Sequence, residues 1–282
     1  MNLWEALQQG RRLLSQVSEE AELDAELLLR HCLKLDRAGT YRRLDKELSA
    51  EQEQCYRELV GRRLTHEPTM YILGHKEFFG LDFEVTPAAI IPRPETELLV
   101  EIGIDFLHSL AFPGGATAVD VGAGCGVIAV SVAHAIPNAR VLATDISARA
   151  LALAGRNADR HQVHERVHLV RGELLGPLGT RVQLIAANLP YVRTADWERM
   201  APEIREHEPR DGLDGGRDGL QAIGQLLEQA PSCLAPGGLL LAEIGDGQGK
   251  AAALLARKAF AGATIDVRAD LAGRDRVLVV RT

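Results

Sequence analysis

The segment Asn188-Leu189-Pro190-Tyr191 follows an apolar run, Val182 to Ala187, that reads as a buried strand. An Asn-x-Pro-aromatic turn at a strand's C-terminal edge offers a flat nitrogen substrate a side-chain carbonyl (Asn188), a main-chain carbonyl held by proline (Leu189, Pro190) and an aromatic face (Tyr191). An amide nitrogen is a poor nucleophile because its lone pair is delocalised, and no ordinary side-chain base deprotonates it at neutral pH. Positioning is the workable strategy. Two acceptors take its two N–H bonds and aim the nitrogen at an electrophilic carbon, and the same acceptors stabilise the positive charge that develops there. Tyr191 stacks on the amide plane. The plain structural alternative is an Asn-initiated turn with a packed tyrosine.

A second motif, Val119-Asp120-Val121-Gly122-Ala123-Gly124-Cys125-Gly126, lies upstream and reads as a strand-to-helix turn where backbone approaches a ligand closely. A dinucleotide fingerprint, G-x-G-x-x-G, would need a third glycine where Val127 stands. The G-x-G-x-G spacing with Asp120 ahead of it instead favours S-adenosylmethionine (SAM). Asp145, ending the next strand, can accept both ribose hydroxyl protons. Glu173, after a third strand, is placed to reach the adenine rim, although taken alone it reads equally well as a solvated loop acid. Together the motifs suggest methyl transfer from SAM to a nitrogen held in an amide-like plane.

These residues need a scaffold. Short apolar strands over Ala116 to Val121, Val141 to Thr144, Val167 to Val170, Val182 to Ala187 and Leu239 to Ile244 alternate with helical segments, among them Val127 to Ala135 and a helix capped by Ser147. Leu239 to Ile244 follows a Pro236-Gly237-Gly238 turn, and Thr264 to Arg268 and Val277 to Val280 close the chain as β segments. The pattern predicts an α/β fold, an open sheet with helices on both faces, and ligands then bind beyond the strands' C-terminal ends at the switch point. Residues 1–74 read as a small helical bundle, with Ser49 to Gln52 as a capping box and Leu23, Leu27, Leu28 and Cys32 on one stripe. Lys76 to Val85 reads as a β-hairpin linker, set within 75–90. A helix starts near Pro92 or Pro94, with Glu95 and Glu97 in its first turn, and runs to about Leu110. The expected domains are 1–74, 75–90 and 91–282.

The chain has 282 residues and a net charge of −7, which argues against tight nucleic-acid binding driven by a basic face. No apolar run approaches the roughly 20 residues of a membrane span, and the chain reads as cytoplasmic and monomeric. The four cysteines, Cys32, Cys55, Cys125 and Cys233, lack metal-ligand spacing and are expected to be reduced and mostly buried. No metal site is expected. His161 and His164 read as surface residues, and His207, after the Asn-x-Pro-Tyr turn, is a weak candidate for approaching the substrate.

Further segments complete a pattern: Tyr71-Ile72-Leu73-Gly74 with Glu77-Phe78, Ile91-Pro92-Arg93-Pro94-Glu95-Thr96-Glu97, Glu208-Pro209 with Gly215-Gly216-x-Asp218-Gly219-Leu220, and Glu243-Ile244-Gly245. With the two motifs above, the chain resembles, over nearly its whole length, the HemK/PrmC family of peptide-chain release factor glutamine N5-methyltransferases. The resemblance implies an N-terminal helical bundle that helps dock the release factor, a hairpin linker, and a SAM-dependent Rossmann-like domain with a seven-stranded sheet. It implies that Gly122, Ala123, Gly124, Cys125, Gly126, Asp145, Glu173, Leu174 and Asn188 contact SAM. It implies that Asn188, Leu189, Pro190 and Tyr191 hold the substrate amide, the glutamine of a Gly-Gly-Gln tripeptide in class-1 release factors, with S-adenosyl-L-homocysteine as the other product. The family usually has Asn-Pro-Pro-Tyr. Leu189 departs from that, and Asn-Leu-Pro-Tyr also occurs in ribosomal RNA adenine N6-methyltransferases, so the alternative reading is an adenine N6-methyltransferase acting on RNA or DNA.

Overall fold

The computed structural model describes residues 1–110 and 115–282. In chain order its elements are α1 (Leu3–Leu14), α2 (Ala21–Leu33), α3 (Arg37–Tyr41), α4 (Ala50–Leu64), α5 (Thr69–Leu73), β1 (His75–Phe78), β2 (Leu81–Glu84), α6 (Thr96–Ser109), β3 (Thr117–Val121), α7 (Val127–Ala135), β4 (Arg140–Asp145), α8 (Ala148–Arg160), β5 (Val167–Arg171), β6 (Val182–Ala187), α9 (Pro202–His207), α10 (Gln221–Cys233), β7 (Leu234–Glu243), α11 (Gly249–Ala259), β8 (Thr264–Ala269) and β9 (Asp275–Arg281). They divide into two compact units: Met1–His75 with Met200–Glu208, and Lys76–Arg199 with Pro209–Thr282.

In the first unit, Ser49 and Gln52 form the expected capping box, each side chain bonding the other's backbone N–H. The stripe proposed for α2 is corrected. Leu23 is exposed, and the buried face carries Ala21, Asp24, Ala25, Glu26, Leu28 and Leu29. Two acids can sit there because each has partners. Asp24 accepts from Arg63 Nε at 2.9 Å and from Thr69 Oγ1 at 2.6 Å. Glu26 takes Arg30, Arg37 and the Tyr41 hydroxyl. Arg63 also bonds Glu203, which fixes the segment Met200–Glu208 to this unit. The expectation of reduced cysteines fails for one pair: Cys32 on α2 and Cys55 on α4 are disulfide-bonded. Helix packing brings their Cα atoms to 5.9 Å, within reach of a bridge, and sequence separation carries no hint of that approach. Cys125 and Cys233 are free.

The second unit holds a seven-stranded sheet in the order β5-β4-β3-β6-β7-β9-β8. β5 to β7 run parallel, and β9 is antiparallel to both its neighbours. Alternate residues serve two cores, as the pleat requires. Ala118, Leu184, Ala186, Leu239 and Leu241 pack with residues of α6, α7 and α8, while Val119, Val121, Ile185, Ala187, Leu240 and Ala242 pack with residues of α10 and α11. The hairpin β1–β2 adds Phe78 and Phe83 to the first core. α6 begins at Thr96, just after an entry turn over Pro94 and Glu95 whose bonds run from Thr96 N–H to the Arg93 carbonyl and from Glu97 N–H to that of Pro94; Ile91 and Arg93, each before a proline, are steered out of the helical region. β7 includes Pro236-Gly237-Gly238 within its span, where a preceding turn was expected. His161 is not a plain surface residue: it is half-buried, with Nε2 at 3.0 Å from the Asp82 carbonyl and its ring against Phe83. Among the described residues no helix is long and apolar enough to cross a membrane.

Two changes test this packing by chemical denaturation. Asn157 is fully buried and ties the Glu84 N–H and C=O to the Cys125 carbonyl. Asn157→Ala is expected to cost about 1–3 kcal/mol by stranding those groups. Arg63→Ala leaves Asp24 buried without its cation and is expected to cost about 3–5 kcal/mol. A change of under about 0.5 kcal/mol in either, the level of an ordinary surface substitution, would contradict the structure.

Candidate active site

Strand register builds the site. Val121 on β3 pairs with Thr144 on β4 and with Ala187 on β6, and Ala187 pairs with Ala242 on β7. The residues that follow, Gly122, Asp145, Asn188 and Glu243, therefore emerge in one row along the C-terminal edge. The chain runs outward from β3 through β4 to β5 and then crosses back to β6, so this row straddles the topological switch point.

The glycine loop folds over β4. The Gly122 and Ala123 N–H groups both donate to the Thr144 carbonyl, at 2.8 and 2.9 Å. Gly122 has φ +74°, and a Cβ there would lie 2.8 Å from Leu189 Cδ2, so the loop and the Asn-x-Pro-Tyr turn approach as closely as they do because this residue has no side chain. Asp145 braces the loop, with Oδ2 accepting from the Gly124 N–H at 2.9 Å and Oδ1 from the Ser147 N–H at 2.8 Å. Asp120 is buried beneath and accepts from the Ala129 N–H in the first turn of α7. Burial pushes its carboxyl up to about 7; the Ala129 N–H opposes that rise and Asp145 adds to it. Burial also lifts the Cys125 thiol to about 12, which leaves it no nucleophilic character.

A cavity of about 340 Å³ opens against this edge, within the ~300–1,000 Å³ typical of small-molecule sites. Gly122, Gly124, Asp145, Glu173, Leu174, Asn188, Leu189 and Pro190 all line it. Ala123, Cys125 and Gly126 do not. They are buried in the loop's interior side, where the Cys125 carbonyl serves Asn157 and Gly126 caps α7 at φ +87°. Tyr191 lies off this cavity and lines a small adjoining recess with Asn188, Leu189 and Arg93. Leu174 holds a left-handed backbone (φ +49°), with its carbonyl accepting from the Thr144 hydroxyl. Ile146, 58% exposed, adds an apolar side chain at the wall. His207 belongs to the first unit, where Nε2 faces the Thr65 carbonyl at 3.2 Å. A larger trough of about 850 Å³ runs along α1 in that unit, with Trp4, Glu5, Gln8 and Arg12 among its lining.

The Asn-x-Pro-Tyr turn is held from several sides. Asn188 Nδ2 donates to Thr96 Oγ1 at 2.9 Å. The Thr96 hydroxyl donates to Glu243 Oε2 at 2.6 Å, and the Tyr191 hydroxyl donates to Glu243 Oε1 at 3.0 Å. Burial, and then Glu243, raise the Tyr191 phenol further above its ordinary value, so it stays protonated and acts as a donor. Gln248 reaches the Tyr191 carbonyl at 3.0 Å. Gly215 and Gly219 press against the turn: a Cβ on Gly215 would fall 2.4 Å from the Pro190 carbonyl, and one on Gly219 2.2 Å from that of Tyr191. Neither Asn188 Oδ1 nor the Leu189 carbonyl accepts a hydrogen bond from the described residues. Two adjacent oxygens thus remain available to a donor. Thr96, Glu243 and Gln248 carried no assigned role in the sequence reading. The visible signals were the segments Ile91 to Glu97 and Glu243-Ile244-Gly245, which hold Thr96 and Glu243 without assigning them a part. Among the described residues no His, Cys, Asp or Glu group has the makings of a metal site.

Residues 5–74 match the PrmC N-terminal domain model and residues 100–206 the Methyltransferase small domain model. The chain is 42% identical over 278 residues to a release factor glutamine methyltransferase of Moorella thermoacetica, covering 98% of this chain and 97% of that one. It is 47% identical over 231 residues to the protein of that name from Geobacter sulfurreducens, covering 82% and 79%. A methyltransferase crystal structure from Pyrococcus furiosus, 22% identical, superposes with a TM-score of 0.52 over 72% of this chain and 89% of that one, and so shares the fold. The chain belongs to the release factor glutamine methyltransferase family.

Proposed function

We propose that the protein transfers a methyl group from S-adenosylmethionine to the side-chain nitrogen (N5) of the glutamine in the Gly-Gly-Gln motif of class-1 peptide-chain release factors, releasing S-adenosyl-L-homocysteine. The observation that carries this reading is the pair of open acceptors, Asn188 Oδ1 and the Leu189 carbonyl, at the mouth of a cavity walled by glycine backbone. A carboxamide NH₂ has two N–H bonds to give, and this site has two oxygens to receive them. Asp145 would take the ribose hydroxyls, Ile146 and Leu174 would cover the base, and Glu173 would lie at its rim. Gly122 and Gly124 would let the backbone meet the amino-acid moiety; Ala123, Cys125 and Gly126 would hold the loop from behind.

When bound, the cofactor supplies an electrophilic methyl group on a sulfonium sulfur. The protein's part is geometric. Asn188 and Leu189 grip the amide and point the lone pair of its nitrogen, Pro190 fixes the Leu189 carbonyl, and Tyr191 packs against the amide plane. Positive charge that develops on nitrogen is met by both oxygens. After transfer the nitrogen, made acidic by the new bond, gives its extra proton to water, so the scheme assigns no general base. The helical residues 1–74 dock the release factor, 75–90 is the hairpin linker, and 91–282 carries the methyltransferase chemistry. We place the protein in the cytoplasm, as a monomer without stable nucleic-acid binding, in keeping with its net charge of −7.

Incubation with SAM and a purified release factor, followed by peptide mass spectrometry, is expected to find one added methyl on the Gly-Gly-Gln glutamine. Methyl incorporation into RNA or DNA adenine instead would favour the nucleic-acid alternative. Asn188→Ala is expected to lower turnover at least about a hundredfold, the scale on which single charge-stabilising contacts act, while calorimetry shows SAM still bound. Asp145→Ala is expected to do the reverse, weakening SAM binding about tenfold or more through loss of charge-assisted bonds. Near-normal turnover in the first variant, or unchanged affinity in the second, would contradict the assigned roles.

A further inference from the structure

Asn188 is useful to an N–H donor only in one of its two amide orientations. Flipped, it would present its own NH₂ to the substrate NH₂, donor against donor. The two orientations differ little in shape, so something must choose between them. The Thr96 hydroxyl has one proton, given to Glu243 Oε2 at 2.6 Å. An ionised carboxylate can only accept, and the other oxygen of Glu243 already takes the Tyr191 proton. With its proton committed, Thr96 Oγ1 offers only lone pairs to Asn188, and only the NH₂ edge can meet them, at 2.9 Å.

We propose that Thr96 and Glu243 are positioning residues that lock the Asn188 carboxamide with Oδ1 toward the acceptor amide, by passing hydrogen-bond direction from carboxylate to hydroxyl to amide. The inference rests on the proposed role of Asn188 above. Strand register makes the relay possible: Ala187 pairs with Ala242, so Asn188, just past β6, and Glu243, the last residue of β7, stand side by side at the sheet's C-terminal edge. Thr96, 1% exposed at the start of α6, bridges them. Glu243 is itself buried. The groups that face it are Thr96 and Glu95 at the start of α6, Tyr191 on the turn and Arg276 on β9. Burial raises its pKa, as does Glu95, and the two hydroxyl donors and Arg276 oppose that rise without cancelling it; the direction of the relay rests on the two hydroxyls that donate to its oxygens. One carboxylate thereby fixes two members of the Asn-x-Pro-Tyr turn.

The test compares Thr96→Val, which keeps shape and removes the hydroxyl, with Thr96→Ser, which restores it. Thr96→Val is expected to lower kcat about tenfold, the worth of one orienting hydrogen bond, with release-factor KM and SAM affinity moving less than about twofold. Thr96→Ser is expected to recover most of the loss. NMR of labelled protein supplies a readout independent of turnover: wild type and Thr96→Ser should show a cross-relaxation peak between the Asn188 NδH₂ protons and the residue 96 side chain, and Thr96→Val should lose it. Wild-type kcat in Thr96→Val, a loss that serine does not rescue, or absence of the peak in wild type would overturn the relay. Asn188→Ala, assayed alongside, separates the failures. If it too turns over normally, the reading of Asn188 is wrong; if it is inactive while Thr96→Val is not, only the relay is.

Discussion

The register of three neighbouring parallel strands sets everything else in this active site. Because Val121, Ala187 and Ala242 share one level of the sheet, the residues after them form a line: a glycine with positive φ, a half-buried asparagine and a buried glutamate. A slip of one residue in β6 would turn Asn188 to the other face, because strand side chains alternate. The apolar faces of β6 resist that slip, with Leu184 and Ala186 committed to one core and Ile185 and Ala187 to the other. Packing far from the chemistry thus decides where the acceptor oxygens lie.

On the proposed reading, the problem this arrangement addresses is the weakness of an amide nitrogen as a nucleophile. Among the described residues, none that bonds the turn offers a strong base. Tyr191 is held as a protonated donor, Cys125 is a buried neutral thiol, and Glu243 has both oxygens occupied by hydroxyl protons. What the site does offer is direction: a carboxamide with a defined oxygen edge, a main-chain carbonyl next to it, and a glycine loop close enough to bring a bound cofactor alongside. The close contacts of Gly215 and Gly219 with the turn's backbone serve the same end, since they leave its peptide groups little room to rotate.

Much of this was legible in the sequence. Alternation of apolar strands with helices gave the sheet, and β6 and α7 fall on their expected residues. The two motifs met at one edge because both end neighbouring strands. What escaped was long-range. Thr96 and Glu243 both lie in segments that carry the resemblance, but they are far apart in the chain, and the link from Glu243 through Thr96 to Asn188 forms only in the fold, so the segments do not reveal it. The Cys32–Cys55 bridge depends on how α2 packs against α4. The exposed Leu23 was misassigned because apolar periodicity takes no account of buried acids with cationic partners, and Asp24 and Glu26 take up the inward face. Ala123, Cys125 and Gly126 sit inside the loop because a turn has two sides, and a motif does not say which side each residue takes.

The central claim is that Asn188 Oδ1 and the Leu189 carbonyl together hold a carboxamide NH₂ for in-line methyl transfer. A crystal structure of the protein with S-adenosyl-L-homocysteine and a Gly-Gly-Gln-containing release factor fragment tests it most directly. The account predicts the glutamine nitrogen within hydrogen-bonding distance of both oxygens, facing the cofactor sulfur, with Asn188 Nδ2 still on Thr96. A glutamine bound elsewhere, or an Asn188 side chain turned from the cavity or donating to the substrate, would contradict it.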